Sequence, residues 1–151
     1  MVAPRRPMVT QVDAVGCGLA CGQMLLADRG IAVTQQEIGV GLRLPIDGAD
    51  LADRMTAVSG LHWLGGAIAG QVPPRIDLVA SLLATHGTWA ALLEPEGLRE
   101  MGHWVVVDGV STVVAGVSVD VRDPIGYAFS VPAAEFLRLW HFTSLVIEVA
   151  P

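Results

Sequence analysis

Apolar positions along this chain fall into two textures. Through the first half they recur at helical spacing between residues that start and stop helices. Residues 8–15 read as an extended lead-in, and the run CGLACGQMLLAD then predicts a helix from Cys17 to Asp28 that stops at Gly30. Thr34-Gln35-Gln36-Glu37 has the spacing of a capping box and opens a short helix toward Leu44, before Pro45. Asp47 is placed to cap a third helix closed by Gly60, and residues 61–68 read as a strand. Pro73 and Pro74 precede a fourth helix, ended by Gly87.

Beyond Gly87 the texture changes. Residues 88–94, 103–110, 117–123 and 142–149 are rich in Val, Thr, Trp and Phe and are bounded by turn residues, which predicts strands. A short helix over 132–140 interrupts the last pair, with Pro132 suited to its first turn. Helices first and strands later predict an α+β fold, an N-terminal helical layer packed on a C-terminal antiparallel sheet. One core is expected between the layers. Leu25, Leu51, Leu78 and Leu82 would fill it from the helices, and Val105, Val107, Val119 and Ile147 from the strands. No repeat, low-complexity tract or linker divides the 151 residues, a length that suits a single domain over 1–151.

Composition narrows the classes. The chain is 52% hydrophobic with a mean hydropathy of +0.55, yet Gly, Asp, Arg or Ser interrupts every apolar run. None approaches the roughly 18 residues of a membrane span. No apolar block follows Arg5-Arg6, so the start is not a secretory signal and the expected compartment is the cytoplasm. A net charge of −6 makes nucleic acid a poor partner. All nine basic residues are arginine. Coding bias in a GC-rich genome accounts for that; avoidance of lysine-directed modification, in a protein delivered into another cell, is the sharper alternative. Cys17 and Cys21 are too few for a disulfide scaffold and, one helical turn apart, hard to bridge. No paired spacing of zinc ligands is present, so neither metal nor cofactor is expected.

Chemistry concentrates in three segments. In Gln11-Val-Asp-Ala-Val-Gly-Cys17-Gly, the cysteine stands where a loop gives way to a helix. There the positive end of the helix favours thiolate over thiol. Gly16 and Gly18 permit a tight turn and leave room for a substrate backbone. Gln11, six residues upstream, would join the Cys17 N–H as a second donor to an oxyanion. His103 stands at the mouth of the apolar strand HWVVV, and Asp123 ends the next strand in Asp-Pro-Ile-Gly. Adjacent antiparallel strands would let Asp123 accept the imidazole N–H and fix its tautomer. Singly, these are a core cysteine, a strand-end histidine and a turn. The order Gln, Cys, His, Asp, each in suitable local structure, points to thiol-based acyl transfer. Asp108 is a competing orienter on His103's own strand. Cys21 reads as a core residue, and His62, His86 and His141 as surface or structural.

On these residues the chain resembles the C39 family of papain-like cysteine peptidases, which remove double-glycine leaders from bacteriocin and other peptide precursors. Gln11, Cys17-Gly18 and Ala20 match the family's opening pattern, and His103-Trp104-Val105-Val106 its histidine motif. Asp123-Pro124-Ile125-Gly126 meets its Asp-Pro motif approximately, while Gly48-Ala49-Asp50-Leu51 and Ser59-Gly60-Leu61 fit its middle. The family's aspartate before the cysteine is Gly16 here, with Asp13 close by as a partial substitute. The resemblance implies the papain-like fold and cleavage after Gly-Gly or Gly-Ala. It also implies recognition of a precursor's amphipathic helical leader in shallow apolar pockets, for which Leu51, Met55, Trp63 and Trp104 are candidate linings. A membrane ABC exporter is the implied partner. Two other readings stay open: a papain-like toxin or effector acting as protease or deamidase, and a catalytically silent domain that docks export cargo.

Overall fold

The computed structural model describes residues 6–13, 15–68, 75–94, 102–140 and 144–151. Pro73-Pro74, His141 and the first residues of the 142–149 strand lie outside them. Helix α1 spans Cys17–Asp28, α2 Gln35–Gly39, α3 Gly48–Ser59, α4 Ile76–His86 and α5 Ala133–Leu139. The strands are β1 (His62–Ala67), β2 (Trp89–Leu93), β3 (His103–Val113), β4 (Gly116–Asp123), β5 (Tyr127–Pro132) and β6 (Ser144–Val149). They form one antiparallel sheet in the order β1-β6-β2-β3-β4-β5.

The helix ends follow local chemistry. The Thr34 hydroxyl accepts from the Glu37 N–H (3.0 Å), and the Asp47 carboxylate from the Asp50 N–H (2.8 Å). Gly60 ends α3 at φ 75°, a conformation that suits glycine. Helix α2 stops at Gly39, short of the expected Leu44. Strand β5 was not expected from the sequence; it is a sheet edge on which only Val131 is buried.

The expectation of one core is corrected. Helices α1, α2 and α3 cover one face of the sheet, where Leu25 and Leu51 meet Trp63, Ala90, Trp104, Val106 and Val146. Helices α4 and α5 cover the other, where Leu82, Phe136 and Trp140 meet Val105, Val107, Val119 and Ile147, with Leu78 partly buried against them. Alternate residues of β3 therefore serve different cores. A strand buried on both faces reads as an unbroken apolar run, as Val105-Val106-Val107 does.

Arg122 clamps the first face to the sheet. Its side chain is 2% exposed and donates to Asp28 Oδ1 at the end of α1 (3.0 Å), to Asp108 Oδ2 on β3 (2.9 Å) and to the Pro7 carbonyl (2.7 Å). A one-residue bulge between Val107 and Gly109 turns Asp108 to this contact. Asp108 is thus a partner of Arg122, not of His103. Replacing Arg122 by Met strands two carboxylates, and unfolding free energy should fall by about 3–5 kcal/mol, as when one partner of a buried ion pair is removed. Urea denaturation with an unchanged m-value checks this.

Candidate active site

The turn before α1 is built by Asp13, whose carbonyl accepts the Gly16 N–H (2.9 Å) and whose carboxylate accepts the Val15 N–H (2.9 Å). A Cβ at Gly16 would lie 3.2 Å from both the Asp13 Cβ and the Asp13 carbonyl oxygen. Asp13 therefore organises the loop as a turn-former, and a side chain at position 16 would be crowded against it. No side chain caps α1 and no acidic residue occupies its first turn. The positive helix end thus acts on Cys17 without a competing carboxylate.

Gly18 serves a different purpose from the one expected. A Cβ there would stand 2.5 Å from Ile46 Cγ2 and 3.1 Å from Trp104 Cδ1. The space is filled by the protein's own side chains rather than kept for a substrate. Trp104, whose indole N–H donates to the Ile46 carbonyl (3.2 Å), is wedged between the starts of α1 and α3.

Register explains how histidine meets aspartate. Val106 pairs with Arg122, so the next step along the ladder sets Asp123 across from Val105. His103 lies two residues further along the same face, a diagonal neighbour within side-chain reach. Its Nε2 is 2.7 Å from Asp123 Oδ1. The same carboxylate oxygen accepts the Ile125 N–H (2.9 Å), which fixes it within the Asp-Pro turn. With Nε2 so engaged, Nδ1 is the ring nitrogen left to face Cys17, and imidazole and thiol are near enough to shift each other's pKa. The backbone N–H groups of Trp104 and Gly18 also favour the thiolate.

The three groups shift one another. Burial alone would raise the Cys17 thiol, but the His103 hydrogen bond, the Trp104 and Gly18 N–H groups and the imidazolium charge together bring it below its ordinary 9.0. His103 is raised from 6.5 to about 9, chiefly by its hydrogen bond to Asp123 and then by that to Cys17. Burial works against ionised Asp123, yet His103 and the Ile125 N–H hold its carboxyl below 3.8. Thiol below and imidazole above their ordinary values is the order that favours a thiolate–imidazolium pair.

Of the sequence candidates, Cys17, His103 and Asp123 therefore meet. Gln11 lies in the lead-in beside them: its backbone N–H donates to the Pro124 carbonyl (2.7 Å), and its side-chain Nε2 to the Asp13 carbonyl (2.9 Å). The four candidate pocket linings are corrected. Leu51 and Met55 are fully buried, Trp104 is 2% and Trp63 6% exposed, and all belong to the first core. Cys21 is fully buried with its thiol pushed well above 9.0, mainly by that burial, as a core cysteine should be. Among the described residues no cluster of three metal-ligating side chains occurs, and no helix is long and apolar enough to cross a membrane. Gln35, which the sequence reading placed only in a capping box, is 8% exposed and bonds the lead-in on either side of Gln11.

No family model matches the chain. Cysteine protease effector 1 of Escherichia coli O1:K1:H7 is 35% identical over 135 residues, 89% of this chain; the chain spans about a quarter (25%) of that relative. A putative C39-like peptidase from Bacillus anthracis superposes with a TM-score of 0.74 at 14% identity, covering 97% of this chain and 96% of its own. The peptidase domain of Streptococcus ComA, a bifunctional ABC transporter of a quorum-sensing pathway, gives 0.72 at 12%, covering 97% and 100%. A double-glycine motif protease from an AMS/PCAT transporter, in complex with its leader peptide, gives 0.69 at 17%, covering 97% and 93%. The fold is that of the C39-like peptidases.

His103 is raised, so its ion pair contributes stability fully present below about 6.5 and lost as pH rises through about 9. Asp123 is depressed, so its contribution is present above 3.8 and lost as pH falls through its lower folded value. Alkylation of Cys17 by iodoacetamide should show a midpoint below 9.0, and His103→Ala should move it upward because burial then prevails. NMR titration of the His103 ring should centre at about 9 and fall toward 6.5 in Asp123→Asn.

Proposed function

We propose that this chain, which has the fold of the C39-like peptidases, is a cysteine peptidase that cuts after a double-glycine-type motif. The observation that supports the reading is the 2.7 Å contact of His103 Nε2 with Asp123 Oδ1, beside a Cys17 thiol that the imidazole holds below its ordinary value. The Cys17 thiolate attacks the scissile carbonyl carbon, and the resulting oxyanion is held by the Cys17 N–H and the Gln11 amide. The C–N bond then breaks as imidazolium gives its proton to the leaving amine. Water attacks the thioester, His103 takes its proton, and the thiol and a carboxylic acid are released. Asp123 keeps the ring's Nε2–H engaged so that Nδ1 does the proton transfer.

Small residues at the cut suit a nucleophile that is only 6% exposed. An apolar hollow of about 800 Å³ flanks the Gln11 loop, with Val9, Val12 and Val40 among its more exposed linings. It offers a seat for apolar side chains of an amphipathic leader, the role that Leu51, Met55, Trp63 and Trp104 are too buried to fill. On this reading the chain works in the cytoplasm on a precursor peptide, alone or attached to an ABC exporter.

A specific observation favours a second substrate class. The 35% identity is to a cysteine protease effector, against 12–17% for the three peptidase structures. The target would then be another cell's protein carrying the small-residue motif. A peptide with a helical leader and Gly-Gly separates the two: deleting the leader should raise KM at least tenfold for a leader peptidase and leave it unchanged for an effector. Under either, Cys17→Ala should abolish cleavage while retaining binding, and Asp123→Asn should lower kcat by up to about 10⁴-fold. Turnover by Cys17→Ala would sink the scheme.

A further inference from the structure

The Gln11 segment is held from two sides. Gln11's own N–H reaches the Pro124 carbonyl in the Asp123 turn, as described above. On the opposite edge stands Gln35, the first residue of α2, a polar side chain only 8% exposed. Its Nε2 donates to the Thr10 carbonyl (2.9 Å), and its Oε1 accepts the Val12 N–H (3.1 Å). These two groups flank Gln11. The pattern is the one by which a parallel strand bonds the residues on either side of its partner, here made by one side-chain amide.

The mount beneath Gln35 is rigid. Helix α2 is only five residues long, yet Thr34 caps it, Ile38 is fully buried, and the Ile38 carbonyl accepts from Arg54 Nη1 (3.0 Å). A Cβ on Gly39 would stand 2.7 Å from Leu19 Cδ1, so α2 lies hard against α1. The helix that carries Cys17 and the helix that carries Gln35 are thus one packed body.

We propose that Gln35 is the positioning residue for Gln11: its amide fixes the height and rotation of the backbone from which Gln11 presents its side-chain amide N–H to the oxyanion. The inference rests on the oxyanion role proposed for Gln11. A donor of this kind works because it is already in place when charge develops, so a segment free to shift loses the benefit while the nucleophile stays intact. Glutamine suits the position because both ends of its amide are used, one donating and one accepting. Glutamate keeps only the accepting end, and methionine keeps the shape with neither.

A double-mutant cycle on Gln11 and Gln35 tests this with a Gly-Gly peptide substrate. Gln11→Ala should lower kcat by about 10²–10³-fold. Gln35→Met should lower kcat by about tenfold or more with less change in KM, and Gln35→Glu should fall between it and the parent. In the Gln11→Ala background, Gln35→Met should cost no more than about twofold. Iodoacetamide alkylation of Cys17, which forms no oxyanion, should stay within about twofold in both single variants. Additive losses, or alkylation slowed in step with kcat, would make Gln35 a structural residue and overturn the proposal. Gln11→Ala impaired beside an unimpaired Gln35→Met overturns the proposal alone; an unimpaired Gln11→Ala overturns the oxyanion reading and the proposal with it.

Discussion

One buried guanidinium joins the parts of this molecule that matter for chemistry. Arg122 reaches the end of α1 through Asp28, the bulge of β3 through Asp108 and the lead-in through the Pro7 carbonyl. The helix whose first residue is Cys17 is therefore fastened at its far end to the strands that carry His103 and Asp123. Neighbouring residues on β4 divide the work. Arg122 faces the helix, and Asp123, on the other side of the pleat, faces the imidazole. A planar fork with five donors can satisfy three acceptors at once, which a lysine at this position could not do in the same geometry.

The site sets burial against charge. Burial is the largest influence on the Cys17 thiol and on Asp123, and in both it opposes the ionised form. What overcomes it is directional: backbone N–H groups of Trp104 and Gly18 at the sulfur, the Ile125 N–H at the carboxylate, and an imidazole between them. Each donor is delivered by a rigid element rather than a long flexible side chain. Glycine at position 18 belongs to the same economy, since it lets Trp104 and Ile46 close over the start of α1 and keeps the Trp104 backbone near the sulfur.

Much of this was legible in the sequence, and the rest was hidden for physical reasons. Helix α1 runs over the residues that apolar spacing and Gly30 indicate, and α3 begins and ends at Asp47 and Gly60 as capping chemistry requires. Cys17, His103 and Asp123 could be singled out as candidates because each carries a local signature: a glycine-flanked helix start, a histidine before valines, an Asp-Pro turn. The two-faced sheet was also written in Val105-Val106-Val107, although reading it calls for asking what covers each face. Strand β5 escaped because Tyr127 and Phe129 remain exposed on an edge, so alternation there marks no core. The contacts Arg122–Asp28 and Gln35–Thr10 link residues 94 and 25 apart along the chain, and no spacing rule anticipates such pairs.

The two cysteines share one helix and differ in nearly everything else. One thiol stands at the start of α1 beside an imidazole and is driven toward thiolate; the other, a turn along, is sealed in hydrocarbon and driven toward the neutral thiol. A mild thiol reagent therefore reads one equivalent from the native chain and two from the unfolded one. The protein carries a built-in counter: the first equivalent reports the thiol at the start of α1, and the second reports when its core has opened.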